Sequence, residues 1–319
     1  MARILIGNFI EDVNSPHYYK LMWRIPFKEF KELGWICVPQ GDVLRKSNPA
    51  VYLEKTYGKV DYVFGWNCSY FLLRHYKKFA KRNIKILFYM DDLHHDGTSI
   101  RNRQSTLIKE SHLVISTYKY TFNKYFPDVS LDKVYWFPHS YPTNFKIEFN
   151  EDPITKILIT GNCNWRVYPY RRKMIMYRKR GYPDAIDTLQ HPGYAEKREG
   201  ALVGYDYYKY MSKYIASFSC CSNEKTPYVV AKTFEIPATG ALLLMYDDLV
   251  KEPMKELGFI DKHNYLSVND DNMEDVIKFI IDPSNKDKIT EMRRNGYEHV
   301  WKNHLHMNRC KDLDTYLGK

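Results

Sequence analysis

Short apolar runs punctuate this sequence, and between them apolar side chains recur every three or four positions. In the first half the runs are RILIG at 3–7, WICVP at 35–39, DYVFGW at 61–66, IKILFYM at 84–90, LVIS at 113–116 and VYWF at 134–137. Each is bounded by turn residues, as strands covered on both faces are. The stretches between them predict helices over about 17–33, 70–82, 103–110 and 119–126. Ser15 is placed to cap the first of these, Pro16 to begin it and Gly34 to end it. Strands alternating with helices predict a parallel, doubly wound sheet.

The pattern pauses at 141–153 (YPTNFKIEFNEDP), which carries two prolines and little periodicity and reads as a linker. It restarts at KILIT, 156–160. Helices follow at about 171–180 and 207–214, with strands near 187–189 and 216–220. Next comes YVVAKTFEIPATGALLLMYDD, 228–248. Ala231–Ala238 has helical composition, Gly240 sits where a C-cap belongs, and Leu242–Tyr246 is a buried strand. A helix at 248–257, a strand at 265–268, a helix at 273–281 and one long helical stretch from 286 to about 316 complete the chain. The fold class is therefore α/β, with two Rossmann-like halves. The boundaries predicted are 1–145 for the first domain, 153–295 for the second and 296–319 for a terminal helix.

Composition narrows the function only in part. At 319 residues, 44% hydrophobic and 16% aromatic, the chain has enough apolar surface for two packed cores and is not a disordered polymer. No apolar run reaches spanning length and no export leader is read, so the expected location is the cytoplasm, of a host cell if the source is viral. The six cysteines make no CxxC pair, so they read as free thiols in a reducing compartment, and no metal site is predicted from them. The net charge of +10 suits polyanionic partners, from nucleoside diphosphates to nucleic acid or an acidic lipid surface, without choosing among them. The first β-loop-α unit lacks GxGxxG, which argues against a dinucleotide-dependent dehydrogenase.

Three places carry candidate chemistry. Lys232 and Glu235 stand three residues apart on one helical face, either as a surface ion pair or as a cation for a phosphate and a carboxylate for a ribose diol. Asp91-Asp92-Leu93-His94-His95-Asp96-Gly97 follows a predicted central strand, at the end where α/β folds place their chemistry. Acid/base work, a metal site and plain helix capping all fit that spacing. Tyr168-Pro169-Tyr170-Arg171 leads into a helix, and Gly161-Asn162 just before it could bring backbone close to a phosphate or form an ordinary turn.

KTFEIPATGALLL resembles the donor-binding segment of GT-B glycosyltransferases of the spore-maturation (CgeB-type) group, in which a basic residue, then Phe-Glu, then a small residue and Gly precede an apolar strand. DDLH after a strand and YPYR at 168–171 resemble segments of viral, phage and bacterial relatives of that group. The resemblance implies two Rossmann-like domains facing across a cleft, with a C-terminal helix crossing back to the first. It implies donor binding by Lys232, Thr233, Glu235, Arg171, Gly161, Asn162, Tyr205 and Gly240, catalysis from Asp91, Asp92, His94 or His95, and an acceptor side that includes Gly7 and Asn8. Many retaining members carry two glutamates with seven residues between them; here Glu235 would be the second, and the position of the first is Pro227.

On this reading the chain moves a sugar from a nucleoside-diphosphate sugar to a hydroxyl of a glycan, lipid or protein, without a metal and with retention. The donor is its co-substrate, no further cofactor is required, and peripheral contact with a membrane fits its charge. Nucleic acid is not an expected partner. Two alternatives stand beside it: a basic nucleic-acid-associated protein, favoured by charge and by interleaved Tyr and Lys, and a nucleotide-sugar epimerase or hydrolase on the same fold.

Overall fold

A computed structural model describes residues 2–7, 26–91, 93, 98–192, 199–222, 224 and 227–319. Asn8, Asp92, His94 and His95 lie outside the described residues, as does most of the helix read over 17–33. The described residues fall into two compact units. Of these, the first holds those in 2–7, 26–138 and 309–319, and the second holds those in 139–308.

In the first unit, β1 (Arg3–Gly7), α1 (Phe27–Glu32) and β2 (Ile36–Pro39) open the chain. Two short helices that the sequence pattern does not announce come next, α2 (Gln40–Leu44) and α3 (Pro49–Tyr57). The Asn48 side chain caps α3 and Pro49 begins it. Then come β3 (Tyr62–Gly65), α4 (Ser69–Ala80), β4 (Lys85–Met90), α5 (Thr98–Glu110), β5 (Leu113–Ser116), the single turn α6 (Phe122–Tyr125) and β6 (Val134–Trp136). The strands are all parallel, in the order β2-β1-β3-β4-β5-β6. The central ones are covered on both faces, which is why they read as unbroken apolar runs.

The second unit contains β7 (Ile154–Ile159), α7 (Pro169–Arg180), β8 (Ile186–Thr188), α8 (Gly204–Met211), β9 (Tyr214–Cys220), α9 (Lys232–Ala238), β10 (Leu242–Tyr246), α10 (Lys251–Glu256), β11 (Leu266–Val268), α11 (Met273–Ile281) and α12 (Lys286–Asn303). Its sheet is also parallel, ordered β11-β10-β9-β7-β8. Every residue of β9 and β10 is buried. The stretch read as a linker is packed into this unit. Tyr141 is fully buried, its ring lies edge-on to Tyr208, and its hydroxyl donates to the Phe145 carbonyl.

The single helix read over 286–316 is in fact two. Tyr141 pairs with the 304–306 segment: its N–H donates to the His304 carbonyl and its carbonyl accepts from the His306 N–H. That bridge takes over backbone groups that a continuous helix would need, and α12 ends at Asn303. The next helix, α13 (His306–Gly318), carries the chain into the first unit. There Cys310, Leu313 and Leu317, on one helical face, join the core of Leu5, Phe30, Phe64 and Leu87. Asp314 accepts from Trp35 Nε1 at 2.6 Å and pairs with Arg3.

Helix α9 is buried from Thr233 to Ala238, and α12 closes over it. Its last carbonyls, which no intrahelical donor reaches, find partners. Trp301 Nε1 donates to the Ala238 carbonyl at 3.1 Å, and Arg293 Nε to that of Gly240 at 2.8 Å. Arg293 is 1% exposed and also reaches the Asn150 carbonyl, and burial brings its pKa down to about 10. Gly296 lets α12 approach this closely. A Cβ there would stand 2.7 Å from the Asn264 carbonyl oxygen and 3.3 Å from Pro237 Cβ. Asn264 cannot yield easily, because its side chain accepts from the Ile260 N–H and donates to the Gly258 carbonyl. Helix propensity favours alanine over glycine by about 1 kcal/mol. We predict the opposite sign here: Gly296→Ala lowers the urea midpoint by about 1–3 kcal/mol of stability, as overpacking does. A midpoint that rises, followed by circular dichroism, contradicts this packing.

Candidate functional site

Two cations meet at the C-terminal end of β7, where the chain leaves the sheet. Gly161 follows that strand with φ +85°, a conformation suited to glycine. A Cβ on it would lie 2.8 Å from Lys232 Cε and 2.9 Å from Arg171 Nη1, so its lack of a side chain is what lets both approach. Lys232 begins α9, and Arg171 lies in the first turn of α7, behind Pro169.

Arg171 is buried, and the Lys232 side chain is only 14% exposed. The Lys232 ammonium donates to the Tyr207 hydroxyl at 2.7 Å and stands 3.5 Å from Glu235 Oε2. Tyr207 OH is 2.9 Å from Thr160 Oγ1, which fixes it from the other side. Glu235, 6% exposed, also lies 3.4 Å from the Tyr208 hydroxyl. Burial works against the charge on Lys232, but Tyr207 and Glu235 more than offset it, and the pKa is raised. Burial likewise raises the pKa of Tyr207, against the pull of Lys232, so the phenol stays neutral.

Arg171 is 3% exposed. Its Nη1 donates to the Asn162 carbonyl at 3.0 Å, its guanidinium lies 4.1 Å from the centroid of the Tyr168 ring, and its buried Nε has no hydrogen-bond partner among the described residues. No carboxylate forms an ion pair with it among those residues. The neighbouring thiol of Cys220 supplies no counter-charge, because burial pushes it up to about 11 although Arg171 works against that shift. A buried guanidinium without an anion is costly. The arrangement is that of an anion site: two charged donors of different geometry converging on one glycine, with one carboxylate beside them.

The structure therefore brings Lys232, Glu235, Arg171, Gly161 and Asn162 together. Others among the candidates stand apart. Thr233 is wholly buried and its hydroxyl points toward Met245 Sδ at 4.0 Å. Gly240 lies past the far end of α9, with φ +80° and Phe149 against it, and serves the helix end through its carbonyl. Tyr205 is 46% exposed and lies 6.4 Å, ring to ring, from Phe145. Its neighbours Tyr207 and Tyr208 turn inward instead, and with Thr160 they are the site residues that sequence reasoning missed. The available signal was the buried face of α8, made by Tyr207, Tyr208 and Met211. His299 and His304 both point Nε2 at the Leu257 carbonyl, at 2.9 and 2.8 Å, which gives them a place in the packing.

In the first unit, Gly7 is the buried last residue of β1, paired with Pro39. Asp91 follows β4, and its Oδ1 accepts from the Thr117 hydroxyl at 2.7 Å. It lines a cavity of about 150 Å³ with Asn67, Ser69, Arg103 and Gln104.

Solved structures share this architecture. That of Anabaena HepE in complex with UDP-glucose aligns with a TM-score of 0.62 at 10% identity, covering 100% of this chain and 99% of the other. Sucrose-phosphate synthase from Thermosynechococcus elongatus aligns at 0.60 and 10%, covering 99% and 98%. A glycosyltransferase from Rickettsia africae aligns at 0.57 and 12%, covering 99% and 97%. At such identities the likeness speaks for the fold. No curated protein matches the sequence. A family profile described as glycosyl transferase-like does match, over residues 152–315, a span that begins ahead of β7 and takes in the whole cation cluster. By that match and by its GT-B fold, the chain belongs to the glycosyl transferase-like family and is a glycosyltransferase.

Proposed function

We propose that the second unit binds a nucleoside-diphosphate sugar, with its diphosphate on Lys232 and Arg171. The observation that carries this is the buried Arg171, whose charge has no anionic partner among the described residues, beside a lysine across Gly161. A diphosphate brings the missing charge, and the planar guanidinium and the point-like ammonium suit its two ends. Glu235 is held by two long contacts, at 3.5 and 3.4 Å, and a carboxylate has about four acceptor positions, so it keeps capacity for the hydroxyls of a ribose.

In this reading catalysis is mainly electrostatic. When the bond from sugar to diphosphate breaks, negative charge grows on the leaving phosphate, and cations already fixed in place stabilise it without reorganising. Because the chain supplies those cations itself, we propose that transfer proceeds without a metal; retention is proposed from the family resemblance alone. Asp91, oriented by Thr117, is the candidate for proton transfer on the acceptor side. The acceptor is a hydroxyl of a glycan, a lipid-linked carrier or a protein.

The first test is the melting temperature against nucleoside diphosphates and nucleotide sugars, with and without magnesium. Uridine nucleotides head the panel, since the HepE structures hold UDP or UDP-glucose. A ligand at a hundredfold excess over its dissociation constant adds about 2.7 kcal/mol to the folded state. A well-folded sample that responds to none of them refutes the donor site, and a response that needs magnesium refutes metal independence. Lys232→Met is expected to slow donor turnover by about a hundredfold; unchanged turnover removes Lys232 from leaving-group stabilisation. Tyr207→Phe tests the support beneath it. A lysine with raised pKa stays charged through neutral pH and loses its charge as pH climbs through that pKa. Without the Tyr207 hydroxyl the Lys232 pKa falls, so the alkaline limb of turnover moves to lower pH than in the wild type. Superimposable limbs exclude this role for Tyr207.

A further inference from the structure

The loop that joins Gly161 to α7 has an outer surface that the donor reading leaves unused. Asn164, Trp165, Arg166 and Val167 are all exposed, Trp165 by 66%. A single exposed apolar side chain is ordinary and needs no explanation. Two features set this one apart.

First, the loop is ordered by its own hydrogen bonds. Asn162 Oδ1 accepts from the Asn164 N–H at 2.8 Å, and Asn164 Oδ1 accepts from the Arg166 N–H at 2.9 Å. The Asn164 carbonyl accepts from the N–H groups of Val167 and Tyr168, at 3.1 and 2.7 Å. These successive side-chain turns order the backbone that carries the indole, so a ligand meets a loop whose backbone ordering cost is already met. Second, the loop starts at the glycine on which Lys232 and Arg171 lie, and it ends at Tyr168, whose ring carries the Arg171 guanidinium. The tryptophan is thus tied by a few rigid residues to the place where the leaving phosphate would sit.

We propose that Trp165 is a stacking platform for a pyranose ring of the acceptor, which makes the acceptor a saccharide bound in part by the second unit. The inference rests on the donor reading above. The C–H face of a pyranose is apolar and carries slight positive charge, which suits the negative face of an indole. The Arg166 guanidinium stands beside the ring, 5.6 Å from the indole centroid. An interfacial membrane anchor is the competing use of an exposed Trp beside Arg. It draws its strength from a broad apolar face, whereas the exposed apolar side chains of this loop are Trp165 and Val167 only, set between Asn164 and Arg166.

The test is saturation-transfer NMR with glucose, galactose, N-acetylglucosamine and their β-1,4-linked disaccharides. It uses the wild type, Trp165→Ala and Trp165→Tyr, each with and without a nucleoside diphosphate, whose affinity is measured separately by calorimetry. At least one saccharide should receive transfer from the wild type. Trp165→Ala should lose about fivefold in affinity for it, Trp165→Tyr should keep most of it, and nucleotide affinity should match across the three. Equal saccharide binding by Trp165→Ala overturns the proposal, as does the absence of saccharide binding by the wild type. A fall in nucleotide affinity in Trp165→Ala assigns the indole to the donor instead. Sedimentation with phosphatidylglycerol vesicles that Trp165→Ala abolishes, with saccharide binding untouched, makes it a membrane anchor and likewise overturns the proposal. Failure of the donor reading itself is seen separately, as a wild type that binds no nucleoside diphosphate.

Discussion

Keeping two positive charges out of water at the end of one strand is the constraint on which the second unit is built. Arg171 is buried and Lys232 largely so, and a desolvated charge persists only where its surroundings hold it. Lys232 has the Tyr207 hydroxyl, itself fixed by Thr160, and the Glu235 carboxylate at longer range. Arg171 has the Asn162 carbonyl and an aromatic face. Nothing among the described residues neutralises the pair fully, and that residual charge is what the proposed diphosphate would meet. The helix that presents Lys232 has no water-facing side of its own. It is held by α12, whose Trp301 and Arg293 take its terminal carbonyls and whose Gly296 permits contact at Pro237. The chemistry at one end of α9 thus depends on packing at the other.

How much of this was legible in the sequence follows from what each feature depends on. Strands such as β4, β5 and β10 are covered on both faces, so their apolar runs leave little room for another reading. Lys232, Glu235 and Arg171 were legible through short motifs whose order along the chain is kept. Tyr207, Tyr208 and Thr160 were not, because a buried tyrosine looks the same in sequence whether its hydroxyl meets a carbonyl or a lysine. Thr233 and Gly240 stand close to Lys232 in sequence, yet the fold sets them away from the cation pair. On a helix, adjacent residues point in different directions, so Thr233 faces the core while Lys232 faces the strand end. The short helices α2 and α3 lacked enough turns to show a period. The break at His304 arises from Tyr141, more than 160 residues earlier, and no local pattern contains it.

The loop from Gly161 to Tyr168 shows how one segment serves two surfaces. Its inner edge is a glycine that makes room, and its outer edge carries an indole held in the open. Asparagine side chains join the two, so the turns that order the backbone beside the cation pair also order the backbone that carries the tryptophan. A change at Asn162 or Asn164 would be felt on both sides.

The docking of α13 has a consequence for how the protein is made. Cys310, Leu313 and Leu317 are part of the first unit's core, and Asp314 joins it to Arg3 and Trp35. A ribosome delivers residues 26–138 early, yet the core they belong to stays open until Cys310, Leu313 and Leu317 emerge. The second unit, 139–308, is whole before that happens. The half that is synthesised first is therefore completed last, and during most of translation its aromatic-rich interior is the part of the nascent chain most in need of a chaperone's cover.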